Sequence, residues 1–197
     1  ILLKPPMLGH LFDFKDENPG VLFEINPKYK KAIDNPLGKK IIGLHFRGGD
    51  FKAWNEKASL KFEYYHAAIK CLSQMYDREQ IKFVLFTDDT NFETYLETVQ
   101  YIQKEKFDYV AEKNPMMVDF YQMTQCDVIV SSPSTYAIMA TIMGKQDKLL
   151  FHNKAWVDYC VEKKEPFWMD VAEGNVPYYE NDKGVHVYRV DNYMINP

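Results

Sequence analysis

The sequence has no apolar run approaching the roughly 18 residues that a membrane-spanning helix needs. Its first residues also lack a basic start followed by an apolar stretch and a small-residue cleavage site. The expectation is a chain without an anchor. A surplus of positive charge is missing too: 24 basic residues stand against 28 acidic ones, for a net charge of -4. No global field therefore draws nucleic acid or an anionic membrane, and an anionic ligand must be met by local groups. There is no CxxC pair. Cys71, Cys126 and Cys160 each sit among apolar or aromatic residues, so buried free thiols in a reducing compartment are expected ahead of metal ligands. Internal repeats and low-complexity tracts are absent. What remains is a globular composition of 197 residues, enough to bury a substantial core in one domain or one domain with appendages. The chain opens on Ile1, which fits a piece of a longer protein.

Residues 1–40 carry Pro5, Pro6, Pro19, Pro27 and Pro36, which exclude a long helix but allow short extended pieces such as Val21 to Ile25. They read as a lead-in. After a polar turn at residues 37–40, the run Lys40 to Arg47 is of strand type. Phe62, Tyr65, Ile69, Leu72 and Met75 or Tyr76 then recur at helical spacing, with Ser59 as the expected N-cap and His66 as a packed or surface histidine. A compact apolar strand follows at Ile81 to Phe86. Thr90 with Glu93 fits a capping box, and Phe92, Tyr95, Leu96, Val99 and Ile102 continue a helix. A short strand at Phe107 to Ala111, a helix at Asp119 to Cys126, a buried strand at Asp127 to Ser131, a helix at Ser134 to Gly144 and a fifth strand at Lys148 to Phe151 complete the pattern. From His152 the regularity fades, apart from an alternating run at Val185 to Val190 that suggests an edge strand.

Strands alternating with helices in this way predict an α/β fold, a doubly wound parallel sheet of Rossmann-like type in the order 3-2-1-4-5. The expected division is a lead-in at 1–40, a Rossmann-like domain at 41–152 and an irregular extension at 153–197 packing on it. The first and fourth strands then lie side by side where the winding reverses, the place where such sheets bind ligands beyond their carboxyl ends.

Two features meet at that switch point. The stretch Ile41 to Phe51, IIGLHFRGGDF, leaves the first strand as His45-Phe46-Arg47-Gly48-Gly49-Asp50. An arginine on a rigid strand end presents a planar fork to a diphosphate, and flanking glycines let a ligand come close to the backbone. Its structural alternative is an ordinary loop with a solvated arginine and carboxylate. The run Ser131-Ser132-Pro133-Ser134-Thr135 leaves the fourth strand and opens a helix, whose amino end carries unpaired N–H groups and about half a unit of positive charge. Ser134 and Thr135 can add hydroxyl hydrogen bonds to phosphate, or Ser134 is an ordinary N-cap. Asp88 and Asp89 could hold Mg²⁺ on a diphosphate, or favour the helix that follows as first-turn acids. Asp119 could cap its helix, or accept a bidentate pair from the N1–H and N2–H₂ edge of a guanine.

Taken together, these residues resemble the superfamily of α1,2-, α1,6- and protein O-fucosyltransferases. His45, Arg47 and Asp50 match its first motif, HxRxxD, and Thr87-Asp88-Asp89 is similar to the second. The block VDFYQMTQCDVIVSSPSTYAIMATIMG, Val118 to Gly144, is similar to the third. The resemblance covers roughly residues 40 to 150, with the leading LKPP and the phrase GDF suiting bacterial and viral α1,2-type proteins best. It implies the donor-binding lobe of a two-lobed GT-B glycosyltransferase that moves fucose from GDP-fucose to a glycan hydroxyl, with inversion and with no metal or other cofactor. It also implies that Arg47 grips the β-phosphate, His45 positions the nucleotide, Asp119 reads guanine, Ser134 and Thr135, beside Ser132, hold phosphate, and Asp88 or Asp89 orders the site. Two departures stand out. The glycine-rich GGLGNQ-like segment of an amino-terminal acceptor lobe is absent, and Tyr136-Ala137-Ile138-Met139-Ala140 replaces the usual tryptophan-rich continuation.

Arg47 and the helix amides near Ser134 are the groups expected to stabilise the departing GDP. Asp50 is the candidate base for the acceptor hydroxyl, with bracing of its own loop as its structural alternative. The alternative functions are a GDP-sugar-binding module without catalysis and a glycosyltransferase using another GDP-sugar such as GDP-mannose. Expected partners are the donor and a glycan acceptor, with a homo-oligomer or a separate amino-terminal lobe as further possibilities. The expected location is the cytoplasm of a microbe or of a virus-infected cell, or the Golgi lumen for a piece of a eukaryotic enzyme.

Overall fold

A computed structural model of the chain describes residues 25–144, 148–163, 179–181 and 185–190. The strands, in chain order, are β1 (Lys40–Phe46), β2 (Ile81–Thr87), β3 (Asp108–Val110), β4 (Val128–Val130), β5 (Lys148–Asn153), β6 (Tyr179–Asn181) and β7 (Val185–Val190). The α-helices are α1 (Phe51–Trp54), α2 (Phe62–Met75), α3 (Glu93–Lys104), α4 (Met116–Gln125), α5 (Thr135–Ile142) and α6 (Lys154–Lys163). They build a seven-stranded sheet in the order β3-β2-β1-β4-β5-β7-β6. The first five strands run parallel, and β7 pairs antiparallel with β5 and with β6. The expected 3-2-1-4-5 order is thus present, with the reversal of winding between β1 and β4.

The continuous apolar runs of β1 and β2 have a direct cause: both faces of the sheet are covered, so both sets of alternating side chains are buried. Register places Ile42 beside Phe83 and Val128, and Leu44 beside Leu85 and Val130. These residues and Phe46 pack on Tyr65, Ile69 and Leu72 of α2 and on Tyr95 and Ile102 of α3. The opposite parity, Ile41, Val84, Phe86 and Ile129, packs with Met123 of α4 and with Ala137 and Ala140 of α5. Full burial of each such side chain contributes about 1.5–3 kcal/mol.

Several local expectations shift. Ser59 closes a 3-10 turn at Glu56–Ala58, and α2 begins after Lys61, which gives no side-chain cap. Thr90 is not the cap of α3 either: the helix starts at Glu93 after Phe92, because Thr87, Asp89 and Asn91 already form a hydrogen-bonded turn. Helix α4 starts at Met116, three residues before Asp119. Val185–Val190 is not the edge strand; it lies between β5 and β6, and three-residue β6 is outermost among the described strands. Alternation marks a strand but not its neighbours, and a strand as short as β6 has no periodic signal. The segment 153–197 is likewise not simply irregular, since its described residues supply α6, β6 and β7. The expected extended piece at Val21 to Ile25 lies outside the described residues except at Ile25, and the LKPP segment lies wholly outside them. Cys71 and Cys126 are buried free thiols, while the Cys160 side chain is outside the description.

Gly43, central in β1, is required by space. A Cβ there would lie 2.7 Å from Ile129 Cδ1, 3.0 Å from Cys126 Sγ and 3.2 Å from a Phe86 ring carbon. Replacing Gly43 with Val should therefore destabilise the fold by about 1–3 kcal/mol through overpacking. Urea unfolding measures this, and an unchanged midpoint would refute the packing argument.

Candidate active site at the carboxyl ends of the central strands

Three loops leave the sheet at one end: residues 47–50 after β1, 88–92 after β2 and 131–134 after β4. The first is held to the second by Asp88. Its Oδ1 accepts the Gly48 N–H at 2.9 Å, and its Oδ2 lies 3.1 Å from Arg47 Nη1. Asp50 takes the other side of the guanidinium, with Arg47 Nε donating to Oδ1 at 3.0 Å and Nη2 to Oδ2 at 3.1 Å. The fork is thus fixed between two carboxylates and lies over the Phe51 ring, 5.4 Å from its centroid. Arg47 keeps 34% of its side chain exposed, which leaves it open to a ligand.

The glycines of this loop have a cause inside the protein. A Cβ on Gly48 would come within 2.5 Å of Phe92 Cγ, and one on Gly49 within 3.0 Å of Asp88 Oδ2. Close packing of the β1 and β2 loops therefore demands small residues here, independently of any ligand. Asp89 serves its own turn, with Oδ1 accepting the Asn91 N–H at 2.9 Å.

The β1 and β4 loops are joined by a buried pair. His45 Nδ1 and Ser132 Oγ are hydrogen-bonded at 2.7 Å, and both residues are nearly inaccessible to solvent. Burial, assisted by the Arg47 charge, pushes the His45 pKa down to about 3, so the imidazole is neutral at ordinary pH. Ser134 takes the N-cap position of α5 but makes no side-chain cap bond, and its N–H donates to Ser132 O at 2.7 Å. Thr135 opens the helix at an exposed position.

Asp119 sits on α4 beside this group rather than within it. Burial raises its pKa to about 6, partly offset by the Asn114 amide, which donates to Oδ1 at 3.1 Å, and by the charge of Lys31. Tyr136 links it to the loops. The Tyr136 ring lies 5.8 Å from that of His45 and 5.3 Å from Phe120, its hydroxyl donates to Met116 O, and its pKa is raised by burial and by Asp119.

Sequence reasoning brought Arg47, Asp50, Asp88 and the serine loop to one sheet end, and they stand there. It did not find the tyrosines. Tyr65, expected as a core residue of α2, also donates from its hydroxyl to His45 O at 2.8 Å, and Tyr64 donates to Ser131 O at 3.0 Å. These bonds pin the last carbonyls of β1 and the β4 loop to α2. Nothing local in the sequence announces a bond across 67 residues, although two adjacent tyrosines on a helix facing a strand end were a usable hint.

Comparison with curated protein sequences finds no match. Among solved structures, the NodZ alpha-1,6-fucosyltransferase soaked with GDP-fucose is similar at 16% identity and a TM-score of 0.43, covering 80% of this chain and 44% of that one. The fucosyltransferase NodZ from Bradyrhizobium is similar at 19% identity and a TM-score of 0.40, covering 59% of this chain and 38% of that one. The chain spans less than half the length of either. A family sequence model, that of glycosyl transferase family 11, matches residues 19–170, well over half of the chain. The chain therefore belongs to glycosyl transferase family 11.

Proposed function

We propose that the chain is the donor-binding lobe of a GT-B fucosyltransferase, which binds GDP-fucose and transfers the sugar to a glycan hydroxyl with inversion. The observation that carries this reading is that the Arg47 loop and the amino end of α5 follow adjacent strands at the switch point of the sheet, joined by the His45–Ser132 bond, in a chain of a glycosyl transferase family. In this reading the diphosphate takes over Arg47 Nη1 from Asp88, which keeps its bond to the Gly48 N–H. The helix amides and the exposed hydroxyl of Thr135 face the phosphate oxygens, where they stabilise the charge that grows on departing GDP, while Ser134, as buried as His45, supports the turn into the helix. His45 and Ser132 are too buried for broad ligand contact, and their role is to fix the two loops against each other. Asp119 receives the guanine edge.

Asp50 is the open element of the mechanism. Both of its oxygens are occupied by the Arg47 guanidinium, an arrangement that positions the arginine rather than presenting a base. This favours, as a second reading, a lobe that binds the GDP-sugar and takes the deprotonating group from elsewhere, or that binds without turnover. Metal independence is supported by the aspartates. Asp88 keeps Oδ1 on the Gly48 N–H and Asp89 keeps Oδ1 on the Asn91 N–H, so the two serve different loops and do not converge as a pair.

Replacing Arg47 with Ala should weaken GDP binding by at least about tenfold, the size expected for losing a charged hydrogen-bonding group. Calorimetry showing unaltered affinity in a folded variant would contradict the phosphate assignment.

The Asp119 reading predicts a pH effect of definite sign. Guanine donors favour the ionised carboxylate, so its pKa falls below about 6 in the complex, and GDP affinity should rise as pH increases from 5 to 7. Asp119→Asn should lower affinity at pH 7 and flatten this profile; a wild-type profile already flat across that range would exclude Asp119 from guanine recognition.

Transfer assays with GDP-fucose and GDP-mannose, for this chain and for a longer form, should show turnover with fucose that EDTA leaves unchanged. Binding without turnover in both forms would establish the non-catalytic reading, and strict Mg²⁺ or Mn²⁺ dependence would restore a metal role to Asp88 and Asp89.

A further inference from the structure

Trp54 is the one large aromatic side chain among the described residues that is mostly exposed, at 63%. It ends α1, the helix that continues directly from the Arg47 loop, and its N–H donates to Asp50 O at 3.1 Å. Its position is fixed from behind. The Phe51 ring lies 5.2 Å away, and the ring of Trp156, itself only 2% exposed, lies 5.9 Å away at 61° in an edge arrangement. Phe51 and Trp156 belong in turn to a small core with Ala58, Ile138 and Tyr159, which ties α1 to α5 and α6. An indole locked on one side and open on the other loses little freedom when it binds, so its exposed surface is ready for a flat apolar partner.

The chemistry around it is polar. Lys52, Glu56 and Lys57 are exposed on the same short segment. Two residues beyond Trp54 begins an open cavity of about 370 Å³, lined among others by Glu56, Lys57, Ser59, Glu63, Tyr64 and Asn153. Tyr64 of that lining donates to Ser131 O, so the cavity adjoins the β4 loop. An open ring beside carboxylates, ammonium groups and amides suits a pyranose: its C–H face is apolar enough to stack on indole, while its hydroxyls need hydrogen-bonding groups around the rim.

We propose that Trp54 is the stacking platform of an acceptor-sugar subsite, with the cavity that opens at Glu56 and Lys57, two residues further along the chain, taking further sugar hydroxyls. This rests on the donor-lobe reading. The sugar is assigned to the acceptor rather than the donor because the guanidinium that would hold the β-phosphate packs on Phe51, while the indole packs on Phe51 and on Trp156, toward the α6 side of the loop. Trp54 would act in specificity and affinity for the acceptor, without a part in holding GDP.

An array of immobilised β-linked pyranose oligosaccharides, probed with the chain in saturating GDP, tests the proposal. The wild-type protein should bind a subset of the glycans. Trp54→Ala should weaken that binding about tenfold, the size of one ring contact. Trp54→Phe should retain most of it, and both variants should bind GDP in calorimetry as the wild type does. Equal glycan binding by Trp54→Ala, or no glycan bound by a wild-type protein that does bind GDP, would overturn the subsite and leave the donor reading standing. Failure of the wild-type protein to bind GDP would remove the donor reading and the subsite with it.

Discussion

A neutral imidazole between two strand ends is the contact on which the rest of the site depends. His45 is the last inward residue of β1 on the α4–α5 face, and burial there makes its charged form costly, so it remains uncharged beside an arginine. In that state it bonds Ser132 of the neighbouring strand end without adding a second positive charge against Arg47. Tyr65 holds the carbonyl of the same residue from the other side of the sheet. Side chain and backbone of one residue thus lock three elements, β1, the β4 loop and α2, before any ligand is considered.

Upon that base the charges are arranged in opposition. Arg47 stands between Asp50 and Asp88, so the charge at this sheet end is locally compensated rather than positive, in keeping with a chain whose net charge is -4. An anionic ligand that reached this guanidinium would have to displace a carboxylate, so its recognition would be an exchange of anionic partners. The two carboxylates hold the planar fork in one orientation. Asp88 has a second anchor in the Gly48 N–H, so it ties the two loops together through backbone as well as through Arg47.

The surroundings divide into two sectors. On one side Asp119, Asn114 and Tyr136 form a half-buried polar group on and around α4; on the other, Phe51, Trp54 and Trp156 form an aromatic group around α1 and α6. Helix α5 contributes to both, through Tyr136 and through Ile138.

Much of this was decided by the sequence alone. The largely apolar runs at 41–46 and 81–86 pointed to buried strands, and the alternation of strands with amphipathic helices pointed to a parallel sheet covered on both faces, with its winding reversed between the first and fourth strands. Those are consequences of local periodicity and of chain connectivity, which any reader of the sequence can apply. The residues His45, Arg47, Asp50, Asp88 and Ser132 to Thr135 were placed at one sheet end by the same logic. Tertiary structure alone decided how they engage. That Gly48 answers to Phe92, that Asp50 spends both oxygens on Arg47, that Tyr64 and Tyr65 tether strand ends, and that Trp54 stays open beside buried Trp156 all depend on contacts between segments or on side-chain geometry that no periodicity encodes. The placement of Val185–Val190 inside the sheet belongs with them, because an alternating strand carries no record of how many neighbours it will find.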